Sequence, residues 1–168
     1  MPTSLQGRAK KAESQQGYRF RNLYGMLDED FLKQCWRDLR KDAASGVDQV
    51  NAQEYEQHLD ENIHRLVECR KKKRYRAKLV RRHDIPKGDG TLRPLGIPAG
   101  EDKLLQLAVA RLLAAIDEQD VLRCSYGYRP HVGALEAVDT LTIKLQCGRY
   151  AWVVEADIKK FFDTIDQD

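Results

Sequence analysis

Residues 76–98 read R-A-K-L-V-R-R-H-D-I-P-K-G-D-G-T-L-R-P-L-G-I-P, and this stretch decides the fold class. Two short extended pieces flank K-G-D-G at 87–90, and an Asp-Gly step between β-type runs is the signature of a hairpin turn. Pro86, Pro94 and Pro98 each remove a backbone donor, so the strands must be edge or irregular ones whose prolines face away from the pairing side. The patterns before this stretch and for about fifty residues after it are helical, as period-3.6 apolar spacing requires. The chain is therefore expected to be α+β, a helix-rich body carrying one β-hairpin.

Working outward toward the N-terminus, Phe31, Leu32, Cys35, Trp36 and Leu39 recur at helical spacing over 28–40, and the acidic first turn suits the positive end of a helix dipole. A-A-S-G-V-D at 43–48 reads as a loop with Gly46 as its positive-φ residue. Asn51 and Glu54 have capping-box spacing and open a helix whose stripe is Tyr55, Leu59, Ile63 and Leu66. Residues 1–22 are polar and basic without periodicity, which predicts a mobile arm.

Toward the C-terminus, Leu104, Leu105, Ala108, Leu112 and Ile116 make the stripe of a core helix over 102–118. C-S-Y-G-Y-R-P at 124–130 breaks the pattern. Leu135, Val138, Leu141 and Leu145 resume it, with Gly148 placed as a C-cap. Residues 150–157 alternate as a strand, with Val153, Glu155 and Asp157 on one face and Trp152, Val154 and Ala156 on the other. Such a strand delivers a carboxylate at its end.

At 168 residues the chain suits one ordinary domain or two small lobes, and 42% hydrophobic against 33% charged residues argues against disorder, collagen or a β-sandwich. No stretch approaches the roughly 20 apolar residues that cross a bilayer, and residues 1–21 lack an apolar signal core, so a cytoplasmic protein without membrane contact is expected. Cys35, Cys69, Cys124 and Cys147 are far apart, and His58, His64, His83 and His131 have no ligand spacing. They read as buried or half-buried free thiols without a zinc site.

The net charge of +3 is small, but cations crowd into 70–82, R-K-K-K-R-Y-R-A-K-L-V-R-R, with Tyr75 interleaved. Arg70, Lys71, Lys72, Lys73, Arg74, Arg76, Lys78, Arg81 and Arg82 thus form a candidate nucleic-acid strip, because so many like charges repel unless an anionic partner neutralises them. The alternative is a solvated helix end. Asp157, at a strand end and followed by aromatics, is a candidate ligand for a hard divalent ion, although strand-end aspartates are commoner as turn or helix-cap residues.

In order, the chain contains S-G-V-D (45–48), I-P-K-G-D-G-T-L-R-P-L-G-I-P (85–98), D-K-L-L-Q (102–106), S-Y-G-Y-R-P (125–130) and V-V-E-A-D-I-K-K-F-F-D-T-I-D (153–166). From about Tyr18 to Asp168 this series resembles the fingers and upper palm of bacterial group II intron reverse transcriptases, also called maturases. The resemblance implies a helix-rich fingers subdomain with its hairpin (23–149), the basic arm before it (1–22), and the first palm strand (150–168).

It also implies roles. Asp157 matches the first catalytic aspartate, which binds both Mg²⁺ ions of a two-metal nucleotidyl transfer, with the Ile158 carbonyl as a further ligand. Phe162 matches the steric gate that selects dNTPs, and the amides of Lys159, Lys160, Phe161 and Phe162 would line the triphosphate. Lys87 and Arg93 match fingers residues that grip the same triphosphate, a point charge and a planar fork suited to phosphate oxygens. Arg129 either contacts template or nucleotide or stabilises its own turn. The implied partners are intron RNA and template, a DNA primer and dNTP, and Arg8, Lys10, Lys11, Arg19 and Arg21 are further RNA candidates.

The family departs from this chain at two places, Tyr128 where Phe is commoner and Gln167 where His is. Its second carboxylate pair, in Y-A-D-D, does not occur in these 168 residues, and Asp163 and Asp166 read as caps or surface groups. The chain alone is therefore expected not to polymerise, although the protein it represents does. The rival expectation is a naturally truncated, non-catalytic RNA-binding protein derived from such an enzyme. Under either reading, apolar surface left by absent palm strands favours a homodimer.

Overall fold

The computed structural model describes residues 4–15, 17–88, 90–148, 150, 152–159, 161, 164 and 165. It divides into two compact units, 1–120 and 121–168. The first contains α1 (Leu5–Ser14), a 3-10 turn (Leu23–Met26), α2 (Glu29–Asp38), α3 (Ala52–Gln57), α4 (Leu59–Lys71), β1 (Arg81–Pro86), β2 (Leu92–Ile97) and α5 (Gly100–Asp117). The second contains α6 (Ala134–Cys147). The α+β expectation holds, and no described helix is long and apolar enough to cross a membrane.

In the first unit the stripes read from the sequence meet in one core. Asp28 caps α2 by accepting the Phe31 N–H at 2.9 Å, and Leu32, Cys35 and Trp36 are buried against Ile63, Leu66 and Val67 of α4 and Leu104 and Ala108 of α5. Trp36 packs on Tyr55 with ring centroids 4.9 Å apart. Burial pushes the Cys35 thiol up, against the opposing pull of Arg111. Cys69 is half-buried, in line with the sequence, whereas Cys124 and Cys147 are exposed, a correction to the buried or half-buried thiols expected there.

Three local expectations need correction in this unit. The capping box of Asn51 and Glu54 forms, but the single helix expected from it breaks at His58 into α3 and α4. The Asn62 amide then donates to the Tyr55 carbonyl at 3.1 Å, which satisfies an acceptor freed by the break. The arm is not mobile coil: α1 is capped by Ser4, buries Ala12 and packs on α5. Behind it the Lys11 ammonium sits 3.8 Å from the Tyr18 ring centre.

Gly46 is needed for space and not for a left-handed backbone. A Cβ there would lie 2.5 Å from the Ala99 Cα, while the positive φ of this loop falls on Gln49 at 58°.

The hairpin forms with Arg81 opposite Ile97 and Pro86 opposite Leu92. Its turn is closed by the Lys87 N–H to the Thr91 carbonyl (2.7 Å) and the Gly90 N–H to the Lys87 carbonyl (3.1 Å). Gly90 takes φ +80°, the left-handed residue of a three-residue loop in place of a two-residue Asp-Gly turn, and Asp89 lies outside the described residues. Hydrogen-bonded and non-bonded pairs alternate along an antiparallel ladder. Counting from Lys87–Thr91 puts Pro86 and Pro94 at non-bonded pairs, where no ladder donor is missed.

In the second unit α6 forms as expected. Glu136 accepts the Gly133 N–H at 2.9 Å, and the Gly148 N–H reaches the Lys144 carbonyl at 2.9 Å. The apolar stripe Leu135, Val138, Leu141 and Leu145 is exposed, because no described residue of this unit covers it. The strand expected over 150–157 is also absent from its described residues, 150 and 152–157. A strand is held by ladder bonds to a neighbour, and no other strand is described in this unit.

Candidate nucleic-acid interface

The first turn of α5 ties three separate segments to one place. Glu101 accepts from the Tyr55 hydroxyl (3.4 Å) and from Arg65 (3.2 Å). Asp102, only 4% exposed, accepts from the Tyr75 hydroxyl through Oδ1 and from the Lys78 N–H at 3.2 Å through Oδ2. Lys103 donates to the Ala44 carbonyl at 2.5 Å. Consecutive helix residues point about 100° apart, so one turn reaches three directions, and both acids gain from the helix dipole. Burial first, and Asp102 second, push the Tyr75 hydroxyl well above its ordinary range, so it donates as a neutral phenol.

The basic run divides by what each cation touches. Arg70 leaves the candidate strip, because its side chain is buried against Tyr24 with the guanidinium carbon 4.4 Å from the ring centre. Lys71 and Lys72 pair with Glu68 at 3.2 and 3.5 Å, Lys78 with Asp48 at 2.9 Å, and Arg82 with Asp84 at 3.1 Å. Lys73, Arg74, Arg76 and Arg81 are exposed and form no ion pair among the described residues.

The chain leaves α4 in a Schellman turn, with the Arg74 N–H on the Cys69 carbonyl and the Lys73 N–H on the Arg70 carbonyl, both at 2.9 Å. Lys73 takes φ 54° at the position that glycine usually fills.

Strand alternation sorts the hairpin in the same way. Arg81, His83, Ile85, Arg93, Leu95 and Ile97 share one face, and Arg82, Asp84, Pro86, Leu92, Pro94 and Gly96 the other. The Lys87–Thr91 bond continues the ladder, which puts Lys87 on the side of Arg93. Asp84 lies on the opposite face beside Arg82, so the Arg93 face carries cations and no carboxylate among the described strand residues.

Asp157, Ile158, Lys159 and Phe161 are exposed, while Lys160, Phe162, Asp163 and Asp166 lie outside the described residues. No group of three or more His, Cys, Asp or Glu side chains gathers among the described residues. Arg129 serves its own turn, donating to the carbonyls of Leu122 (3.3 Å) and Ser125 (2.7 Å).

A family model described as reverse transcriptase (RNA-dependent DNA polymerase) matches residues 85–168, half of the chain, beginning inside the hairpin. The chain belongs to the reverse transcriptase family. Its relatives include Protein YkfC of Escherichia coli, 37% identical over 71% of this chain and 32% of that protein. Group II intron-encoded protein LtrA of Lactococcus lactis is 40% identical over 64% of this chain and 18% of LtrA. A putative COX1/OXI3 intron 2 protein of Saccharomyces cerevisiae is 33% identical over 51% of this chain and 10% of that protein. This reverse transcriptase sequence spans about a third or less of the relatives it matches.

Sequence reading of this reverse transcriptase missed Asp102 as a structural centre and Tyr75 as its partner. The signal was present in D-K-L-L-Q, which puts an acid on a helix that is otherwise core, and in the one aromatic within the basic run. Nothing local connects the two, because 27 residues separate them.

Proposed function

We propose that these residues are the nucleic-acid- and nucleotide-facing part of an RNA-directed DNA polymerase that also assists an intron RNA. Template-primer lies along Lys73, Arg74, Arg76 and Arg81, and the Arg93 face of the hairpin, with Lys87 at its turn, holds the triphosphate of a dNTP. The observation that carries this reading is that the fold neutralises Lys71, Lys72, Lys78 and Arg82 but leaves Lys73, Arg74, Arg76 and Arg81 outward without an acidic partner among the described residues. Lys73 even occupies a left-handed position that favours glycine, a local cost of the kind that concentrates at functional sites. The intron assignment draws on the names of LtrA and the COX1 intron protein.

The test is binding of an RNA template annealed to a DNA primer, followed by fluorescence anisotropy over a series of salt concentrations. Neutralising Lys73, Arg74 and Arg76 to Gln removes three phosphate contacts. It should weaken binding and reduce the slope of log K against log salt by about 2 to 3. An unchanged slope would refute the interface. The 168 residues by themselves are expected to bind template-primer and not to extend it, since they contain no Y-A-D-D.

A further inference from the structure

Residues 72–80 link α4 to the hairpin without helix or ladder, yet they carry most of the outward cations. Beyond the Schellman bonds of Lys73 and Arg74 and the packing of the Tyr75 ring on the core, their ties to the body are few. The Tyr75 hydroxyl and the Lys78 N–H both end on Asp102, one on each carboxylate oxygen, and the Lys78 ammonium ends on Asp48. The Arg76 guanidinium folds back onto the Tyr75 carbonyl at 3.1 Å, so its position also depends on where Tyr75 is held.

We infer that Asp102 is a positioning residue for nucleic-acid binding, acting through Tyr75 and the Lys78 amide to hold Lys73, Arg74 and Arg76 in a binding-ready arrangement. This rests on the interface proposed above. Asp102 itself touches no phosphate, because it is buried and negative. Its effect is entropic: a linker ordered beforehand has less freedom to lose when its cations meet the phosphates. A buried carboxylate suits the task, because bonds to a charged acceptor are stronger than neutral ones and its two oxygens take one donor each.

This role has a signature that loss of charge does not share. Releasing the linker leaves the number of phosphate contacts unchanged, so affinity falls at every salt concentration while the salt slope stays the same. Removing a cation changes the slope.

The experiment compares Tyr75→Phe, Asp102→Asn and the double variant with the Lys73, Arg74 and Arg76 neutralised chain. Each is titrated with the same RNA–DNA template-primer across salt, at a temperature where circular dichroism shows it fully folded. Tyr75→Phe changes no charge and removes one tie. Asp102→Asn keeps the shape but leaves one of the two donors facing an amide NH₂.

The expected result is an affinity loss of about five- to tenfold for Asp102→Asn, smaller for Tyr75→Phe, with lines parallel to the parent. The double variant should lose less than the two single losses combined, because both substitutions act on the Tyr75–Asp102 bond. Parent-like binding by folded Tyr75→Phe and Asp102→Asn would overturn the inference and leave the interface standing, and so would a slope change like that of the neutralised chain. If the neutralised chain binds as well as the parent, the interface falls and the inference with it. Should Asp102→Asn fail to fold, Tyr75→Phe decides.

Discussion

Tyr24 and Arg70 hold one another through their backbones: the Tyr24 hydroxyl donates to the Arg70 carbonyl at 3.0 Å, and the Arg70 guanidinium donates to the Tyr24 carbonyl across the Tyr24 ring. The exchange fastens the end of α4, where the basic strip begins, to the turn before α2. Arg70→Ala is expected to cost about 2–4 kcal/mol in urea unfolding, because it unmakes a buried charged donor and strands its acceptor. Arg70→Lys should recover little, since lysine has neither the fork nor the flat face. The salt slope of template-primer binding should not change in either variant.

The backbone of Lys73 predicts the opposite trade. Lys73→Gly should stabilise the chain by about 1 kcal/mol, because glycine adopts the left-handed position without a Cβ penalty. The same variant should bind template-primer more weakly, with the slope reduced by about 1. Thermal unfolding and a salt titration on one preparation would show both effects.

At Gly46 the constraint is steric. Gly46→Ala would drive a methyl to 2.5 Å from the Ala99 Cα and 2.8 Å from the Pro98 carbonyl carbon, both backbone atoms that cannot swing away. A loss of about 2 kcal/mol in urea unfolding is expected. The loop and the start of α5 should lose amide protection from hydrogen exchange together.

Arg93→Ala and Lys87→Ala should each weaken dNTP binding about tenfold, read by chemical-shift titration of the hairpin amides. Arg93→Lys should lie nearer to Ala than to the parent, because bidentate contact is lost. An Asp84→Asn control changes the opposite face and should leave the nucleotide affinity close to that of the parent.

Glu56 supplies a pH test. Its carboxyl is held below the usual carboxylate range, first by the Lys41 ammonium at 2.7 Å and then by the Trp36 indole N–H at 3.1 Å. A carboxyl with a lowered folded value stabilises the fold fully above its unfolded value, near 4.5, and loses that contribution as pH falls through the folded value. Glu56→Gln should therefore flatten the acid limb of thermal stability below about pH 4.5 and leave its shape near neutral pH unaltered. A parallel acid limb in the variant would show that this carboxyl is not coupled to folding.

Much of the body was legible in the residues. Asp28 before an acidic first turn became an N-cap, Asn51 with Glu54 became a capping box, and Pro86 and Pro94 fell where the ladder needs no donor. The arm was misread because α1 has little apolar periodicity of its own and is held by packing on α5. The strand over 150–157 was misread for the converse reason. Its alternation is clear, but alternation describes a face and does not supply the neighbour that makes a strand.

The sequence by itself determined the α+β class, the helix stripes, the hairpin and the family, because caps, periods, turns and contiguous motifs act over a few residues. Lys71, Lys72 and Arg82 pair with Glu68 and Asp84 within four residues, but whether Arg70 and Lys78 serve the fold or are left for an anionic partner was decided only in three dimensions. Their partners Tyr24, Asp48 and Asp102 lie 46, 30 and 24 residues away along the chain, and only packing brings them into contact.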